Sequence, residues 1–181
     1  QLTRQTLYGQ LSGPRRQRYH LCIGEAMERI GRVEPEEVAH HLRQAGRMAD
    51  ADKTRRYLAL AGDKARRMAA WEAAAEYYAQ ALDLSASDQE HERAGLLHRL
   101  GEAESGKGNW EKAVASLNEA MELFERIKDV ETAGWIAYSL RTLYGARGQF
   151  AEAADVVERG LRVLGEVDSE ARSRLLAQAG F

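Results

Sequence analysis

Residues 101–108, "GEAESGKG", come within one residue of a phosphate-binding loop, G-x-x-x-x-G-K-[ST]. Such a loop follows a strand, wraps phosphate in backbone amides and sets its last hydroxyl on magnesium. Here Gly108 replaces the hydroxyl, Glu102 and Glu104 would repel phosphate, and the preceding pattern is helical. The stretch is expected to be scaffold. The histidines are His20, His40, His41, His91 and His98. His40 and His41 are adjacent, so on a helix they point about 100° apart and make a poor metal pair. Glu36/His40 and Glu37/His41 have the i,i+4 spacing of surface contacts. Cys22 is expected to be a small buried residue. No G-x-S-x-G, H-E-x-x-H or Cys-x-x-Cys occurs. The paired carboxylates fall on helix faces expected to be exposed. No catalytic residue, no metal and no cofactor is therefore expected. The basic stretches "PRRQRYH" and "KTRRY" belong to a chain of net charge −2, which argues against direct nucleic-acid binding.

With no chemistry to place, the question becomes what the helices build. The 181 residues include only two prolines, and alanine, leucine, glutamate and arginine dominate, a helical composition. A single cysteine can form no internal disulfide, which points to a reducing, cytoplasmic setting. No apolar run is long enough to span a membrane, and no membrane association is expected. Residues 1–70 hold 14 Lys/Arg against 8 Asp/Glu, whereas residues 71–181 hold 12 against 20. Two readings stand: solvated helix faces, or a basic end that docks on an acidic surface. The chain begins at Gln1 and stops at Phe181 inside a helical pattern, as expected of a piece of a longer protein.

Three stretches repeat: "AWEAAAEYYAQALDL" from 70, "NWEKAVASLNEAMEL" from 109 and "QFAEAADVVERGLRV" from 149. The aromatics Trp71, Trp110 and Phe150 align, as do Ala74, Ala113 and Ala153, and then Tyr78, Leu117 and Val157. The offsets are 39 and 40 residues. Twelve residues before each alanine lie Gly62, Gly101 and Arg141. A glycine inside a helix costs about 1 kcal/mol relative to alanine, so its recurrence predicts a close helix crossing. Ala74, Ala113 and Ala153 are expected on the facing side. Each unit reads as a helix hairpin. Helix A covers roughly 51–68, 89–106 and 130–147, and helix B roughly 71–84, 110–127 and 150–165. "GKGN" and "GQ" supply glycine turns, whereas "RMAAW" has none. Asn109, Ser87 to Glu90, Asp129 and Asp168 are the expected caps.

This pattern resembles the tetratricopeptide repeat, whose signature is W-x2-L-G-x2-Y…A-x3-F…P over about 34 residues. Leu100-Gly101, Ala113 and Leu117 follow its order, as do Leu140, Tyr144, Ala153 and Val157. Gly62, Ala74, Tyr78 and Ala81 fit as well. The departures are the missing closing proline, Leu58, Leu97 and Ala137 at the first signature position, and the longer period. The resemblance implies an all-α fold, a right-handed superhelical array of antiparallel helix hairpins. Three repeats are expected over 51–167 (51–88, 89–129 and 130–167), with 168–181 as the first helix of a fourth.

Residues 1–50 lack the signature and read as a helical linker or capping region that follows an upstream domain. Pro14 and Pro35 mark helix starts, and Gly31 and Gly46 mark stops. Tyr19, Ile23, Met27 and Ile30 recur at helical spacing as an apolar face. "RQTLYGQLSGPRRQRYHLCIGEAMERI", "EEVAHHLRQAG" and "RRYLALAGDKARRMAAWEAAAEYYAQALDL", in that order, resemble a segment of large bacterial signal-transduction ATPases. These include the ATP-binding LuxR-type transcriptional regulators and multidomain adenylate cyclases. That resemblance implies a non-catalytic interaction or effector-sensing arm with a neighbouring ATPase domain. The alternative is a stand-alone repeat scaffold that binds a peptide of a partner protein.

In the tetratricopeptide family the A helices line a concave groove. Carried over by position, that groove implies Arg56, Asp63, Arg66 and Arg67 from the first unit. It implies His98 and Glu102 from the second, and Trp135, Tyr138 and Thr142 from the third. Trp135 and Tyr138 are three apart and share a face, so with the arginines they suit an acidic or amphipathic peptide or a small effector. Trp135 could equally pack into the joint between units. Open array ends also make a homodimer an expectation.

Overall fold

The computed structural model describes residues 12–31, 34–86 and 89–179. Its helices are α1 (Gly13–Ile30), α2 (Pro35–Ala45), α3 (Ala51–Arg67), α4 (Trp71–Leu82) and α5 (Glu90–Gly106). They continue as α6 (Trp110–Arg126), α7 (Val130–Ala146), α8 (Phe150–Leu164) and α9 (Glu170–Ala179). A 3₁₀ turn, Gly46–Met48, separates α2 from α3. Neighbours in sequence pack on each other throughout, and α9 packs on both α7 and α8. The all-α array of antiparallel hairpins therefore forms as the repeat pattern predicts. α3, α5 and α7 are the A helices, and α4, α6 and α8 are their B partners.

One turn geometry recurs. The amide of Ala70 reaches the carbonyl of Ala65, Asn109 that of Glu104, Asp129 that of Phe124 and Gln149 that of Tyr144, all at 2.8–3.0 Å. The residue before each amide is left-handed: Ala69 (φ 55°), Gly108 (81°), Lys128 (63°) and Gly148 (71°). The first hairpin thus closes like the others, with alanine where glycine is favoured. Asp129 caps α7, accepting from the Thr132 amide at 3.1 Å. Asn109 makes no such bond despite a similar backbone. Ser169, not Asp168, accepts from the Arg172 amide at 3.2 Å. The cap expected from Ser87 to Glu90 includes positions outside the described residues.

The close crossing is present, but its occupant differs from expectation. A Cβ at Gly62 would stand 2.5 Å from the Tyr78 ring, and one at Gly101 2.6 Å from Leu117. The glycine therefore makes room for the large B-helix residue itself. The Ala113 carbonyl oxygen, 3.2 Å from the added Gly101 Cβ, is the nearest approach of an alanine there. Two of the three B-helix aromatics tie their unit to the next: Trp71 fills the space beside Gly106, and Trp110 packs edge-on against Tyr144 at 5.3 Å. Phe150 is 73% exposed.

The front hairpin departs most from expectation. α1 meets α2 through Gly24, whose Cβ position lies 3.1 Å from Leu42, and through buried His20. The glycine permits the closest approach, so that face turns inward. Tyr19, Ile23 and Ile30 are consequently 56%, 42% and 69% exposed, and Cys22 is exposed too.

Candidate functional site

A cavity of about 700 Å³ opens on the A-helix face between α1, α3 and α5. Its apolar lining is Ala59, Leu60, Gly95 and Leu96. A Cβ at Gly95 would meet only the Arg99 guanidinium, at 3.6 Å, so this glycine leaves open space.

Charged side chains surround the apolar part in three groups. On one wall Glu28 accepts from Lys53 at 2.8 Å and from the Tyr57 hydroxyl at 3.4 Å, with Arg56 at 3.6 Å. The Lys53 hydrogen bond holds the Glu28 carboxyl below the usual carboxylate range, against burial, and Glu28 in turn raises Lys53. On a second wall buried Arg55 pairs with Asp52 at 3.2 Å and with Glu92, and donates to Gln89 at 2.6 Å. In the third group Asp63 accepts from the Tyr78 hydroxyl at 2.8 Å and from Arg99 at 3.2 Å. Burial, then the bond to Asp63, raises the Tyr78 phenol well above its ordinary value, so it stays a neutral donor.

Of the sequence-predicted residues, Arg56 and Asp63 line this cavity. Arg66 pairs with Glu102 at 3.4 Å, and His98 stands 3.8 Å from the same carboxylate. Burial lowers the His98 imidazole below its usual range, although Glu102 pulls it up. Trp135 and Tyr138 stack edge-on at 6.1 Å, and Arg174 of α9 covers both rings at 5.5 and 5.9 Å. Trp135 is therefore half-buried at the joint between successive A helices. The Thr142 hydroxyl donates to the Tyr138 carbonyl at 3.0 Å, and Arg67 is exposed outside the cavity lining. The aromatic pair belongs to a separate cluster, since no α7 residue lines the cavity.

Sequence reasoning missed Glu28, Lys53, Arg55, Arg99 and Arg174. Arg99 carried a signal, since it lies on the predicted groove face three residues before Glu102. Glu28 carried none, because α1 lies outside the repeat. Among the described residues, no group of three or more His, Cys, Asp or Glu could hold a metal ion, and no helix is long and apolar enough to cross a membrane.

The tetratricopeptide repeat family model matches residues 92–166. No curated protein matches the sequence. Among solved structures the chain is similar to aspartyl phosphate phosphatase F from Bacillus subtilis, at 13% identity and a TM-score of 0.64. That match covers 92% of this chain but spans only 45% of the phosphatase's length. BtubC (BKLC) from P. vanneervenii is similar at 20% identity and a TM-score of 0.63, over 94% of this chain and 82% of that one. A putative kinesin light chain with nearly identical TPR-like repeats, from Podosopora anserina, is similar at 18% identity and a TM-score of 0.63. It covers 93% of this chain and 87% of its own. At these identities the likeness is one of fold. The helical array is a tetratricopeptide-like repeat region.

Proposed function

We propose that this chain is a non-catalytic interaction or effector-sensing arm, working in the cytoplasm beside the ATPase domain of a bacterial signalling or transcriptional regulator. Its A-helix face receives a segment of a partner protein or a small effector. One observation carries the reading: the cavity of about 700 Å³ has an apolar base and charged walls. That volume falls within the range of about 300–1,000 Å³ usual for ligand pockets. Arg56 and Asp63 make direct contacts in this reading. Arg66, His98 and Glu102 border the same face, and the Trp135–Tyr138–Arg174 cluster offers a second contact further along it.

A photocrosslinking residue at Leu60, compared with one at Glu158 on the outer face of α8, tests the site. A discrete adduct is expected from position 60 only, and Gly95→Glu should suppress it. Equal labelling from both positions would reject the A-helix face as the binding surface. The gene upstream of Gln1 tests the context. A nucleotide-binding P-loop encoded there supports the regulator; its absence leaves the stand-alone scaffold.

A further inference from the structure

Lys53, Arg56 and Tyr57 occupy positions i, i+3 and i+4 of α3 and so share one face. All three converge on a single carboxylate, Glu28, at 2.8, 3.6 and 3.4 Å. That carboxylate comes from α1, outside the repeats. Arg56 remains 67% exposed while it makes this contact. Ala59 and Leu60 continue the face beside it, and open space lies opposite at Gly95. The arrangement is a carboxylate site with an apolar shelf, and a side chain of the protein itself fills it.

We propose that Lys53, Arg56 and Tyr57 form a carboxylate subsite of the groove, and that Glu28 occupies it as a built-in competitor for an acidic side chain of the partner. This rests on the reading of the A-helix face as a binding surface. The partner segment carries a glutamate or aspartate for the subsite, next to an apolar side chain that lies on Leu60 over Gly95. An internal competitor lowers apparent affinity by the fraction of time the site is filled, so freeing the site tightens binding without adding a contact.

The probe is a C-amidated hexapeptide of alternating leucine and glutamate, carrying rhodamine on its N-terminal amine, measured by fluorescence anisotropy at low salt. Glu28→Gln is expected to bind it about 5- to 10-fold more tightly than the wild type. Adding Arg56→Gln to that variant should abolish the gain. A control peptide with glutamine for glutamate should show no gain. Equal affinity of wild type and Glu28→Gln, with binding blocked by Leu60→Lys, overturns the competitor and keeps the groove. A gain shared by the glutamine peptide means that α1 has merely come loose, which also overturns the carboxylate assignment. A probe that binds neither protein rejects the groove reading itself.

Discussion

Gly62 and Gly95 both sit in the interior of A helices, and each carries the same intrinsic cost of about 1 kcal/mol relative to alanine. They return different things. At Gly62 an added Cβ would lie 2.5 Å from a fully buried Tyr78 ring whose hydroxyl is fixed on Asp63. The ring has nowhere to retreat, so Gly62→Ala is expected to destabilise the fold by about 1–3 kcal/mol. At Gly95 the added Cβ meets only the Arg99 guanidinium, at an ordinary contact distance of 3.6 Å. Gly95→Ala is expected to stabilise by up to about 1 kcal/mol, with the cavity slightly reduced. Urea unfolding followed by tryptophan fluorescence measures both, and shifts of the same sign would refute the distinction. The role of Gly62 was legible because Gly101 repeats it one period later. That of Gly95 was not, because its counterparts are Arg56 and Trp135, and nothing in the sequence says that a gap between them is useful.

The repeat hairpins were legible because their period, turns and packing residues agree with one another. The turn after α3 was placed by the repeat alone, because Ala69 and not glycine holds its left-handed position. In the front hairpin the helix ends were legible from Pro14, Gly31, Pro35 and Gly46, but the inward face was not, since hydrophobic spacing ranks Tyr19, Ile23 and Ile30 above the small Gly24 that the crossing uses. Its inward face also places His20 Nδ1 2.9 Å from His41 Nδ1, with His40 6.0 Å from His20 between ring centroids. One of the two facing nitrogens must donate and the other accept, so both cannot be protonated there at once. Burial first, then the neighbouring histidines, lowers both imidazoles below 6.5, although Glu37 pulls His41 up. Between the folded and unfolded values the unfolded chain binds more protons. The hairpin's stability is therefore full above about pH 6.5 and declines as pH falls below it. The half-buried His98 acts in the same direction on α5. Urea midpoints measured from pH 8 to pH 5 should be level and then fall. His20→Asn with His41→Asn should flatten the decline, and an unchanged slope in that variant would reject the pair as its source.

Across the whole molecule ion pairs connect units as well as cover faces. Arg66–Glu102, Asp63–Arg99 and Glu90–Arg126 are all 36 residues apart, and Glu125–Arg159 is 34 apart. Arg66–Glu102, Asp63–Arg99 and Glu125–Arg159 each join a unit to the next, whereas Glu90–Arg126 ties the two helices of one hairpin together. Such surface pairs are worth about 0–1 kcal/mol apiece, so they set which faces meet and add little to stability. Most of the energy that holds the units together lies in buried side chains at the joints, each of which serves only its immediate neighbours. Leu175 of α9 tests how far that locality extends. It is fully buried, and one of its methyls lies 2.8 Å from the Cβ position of Gly160 on α8. Leu175→Ala is expected to cost about 2–5 kcal/mol at that end of the array. Because α9 packs on α7 and α8, amide hydrogen exchange should quicken in those three helices. The α1–α4 half should keep its protection, having no packing contact with α9 to lose. Faster exchange spread evenly over all the helices would show instead that the array unfolds as one cooperative block.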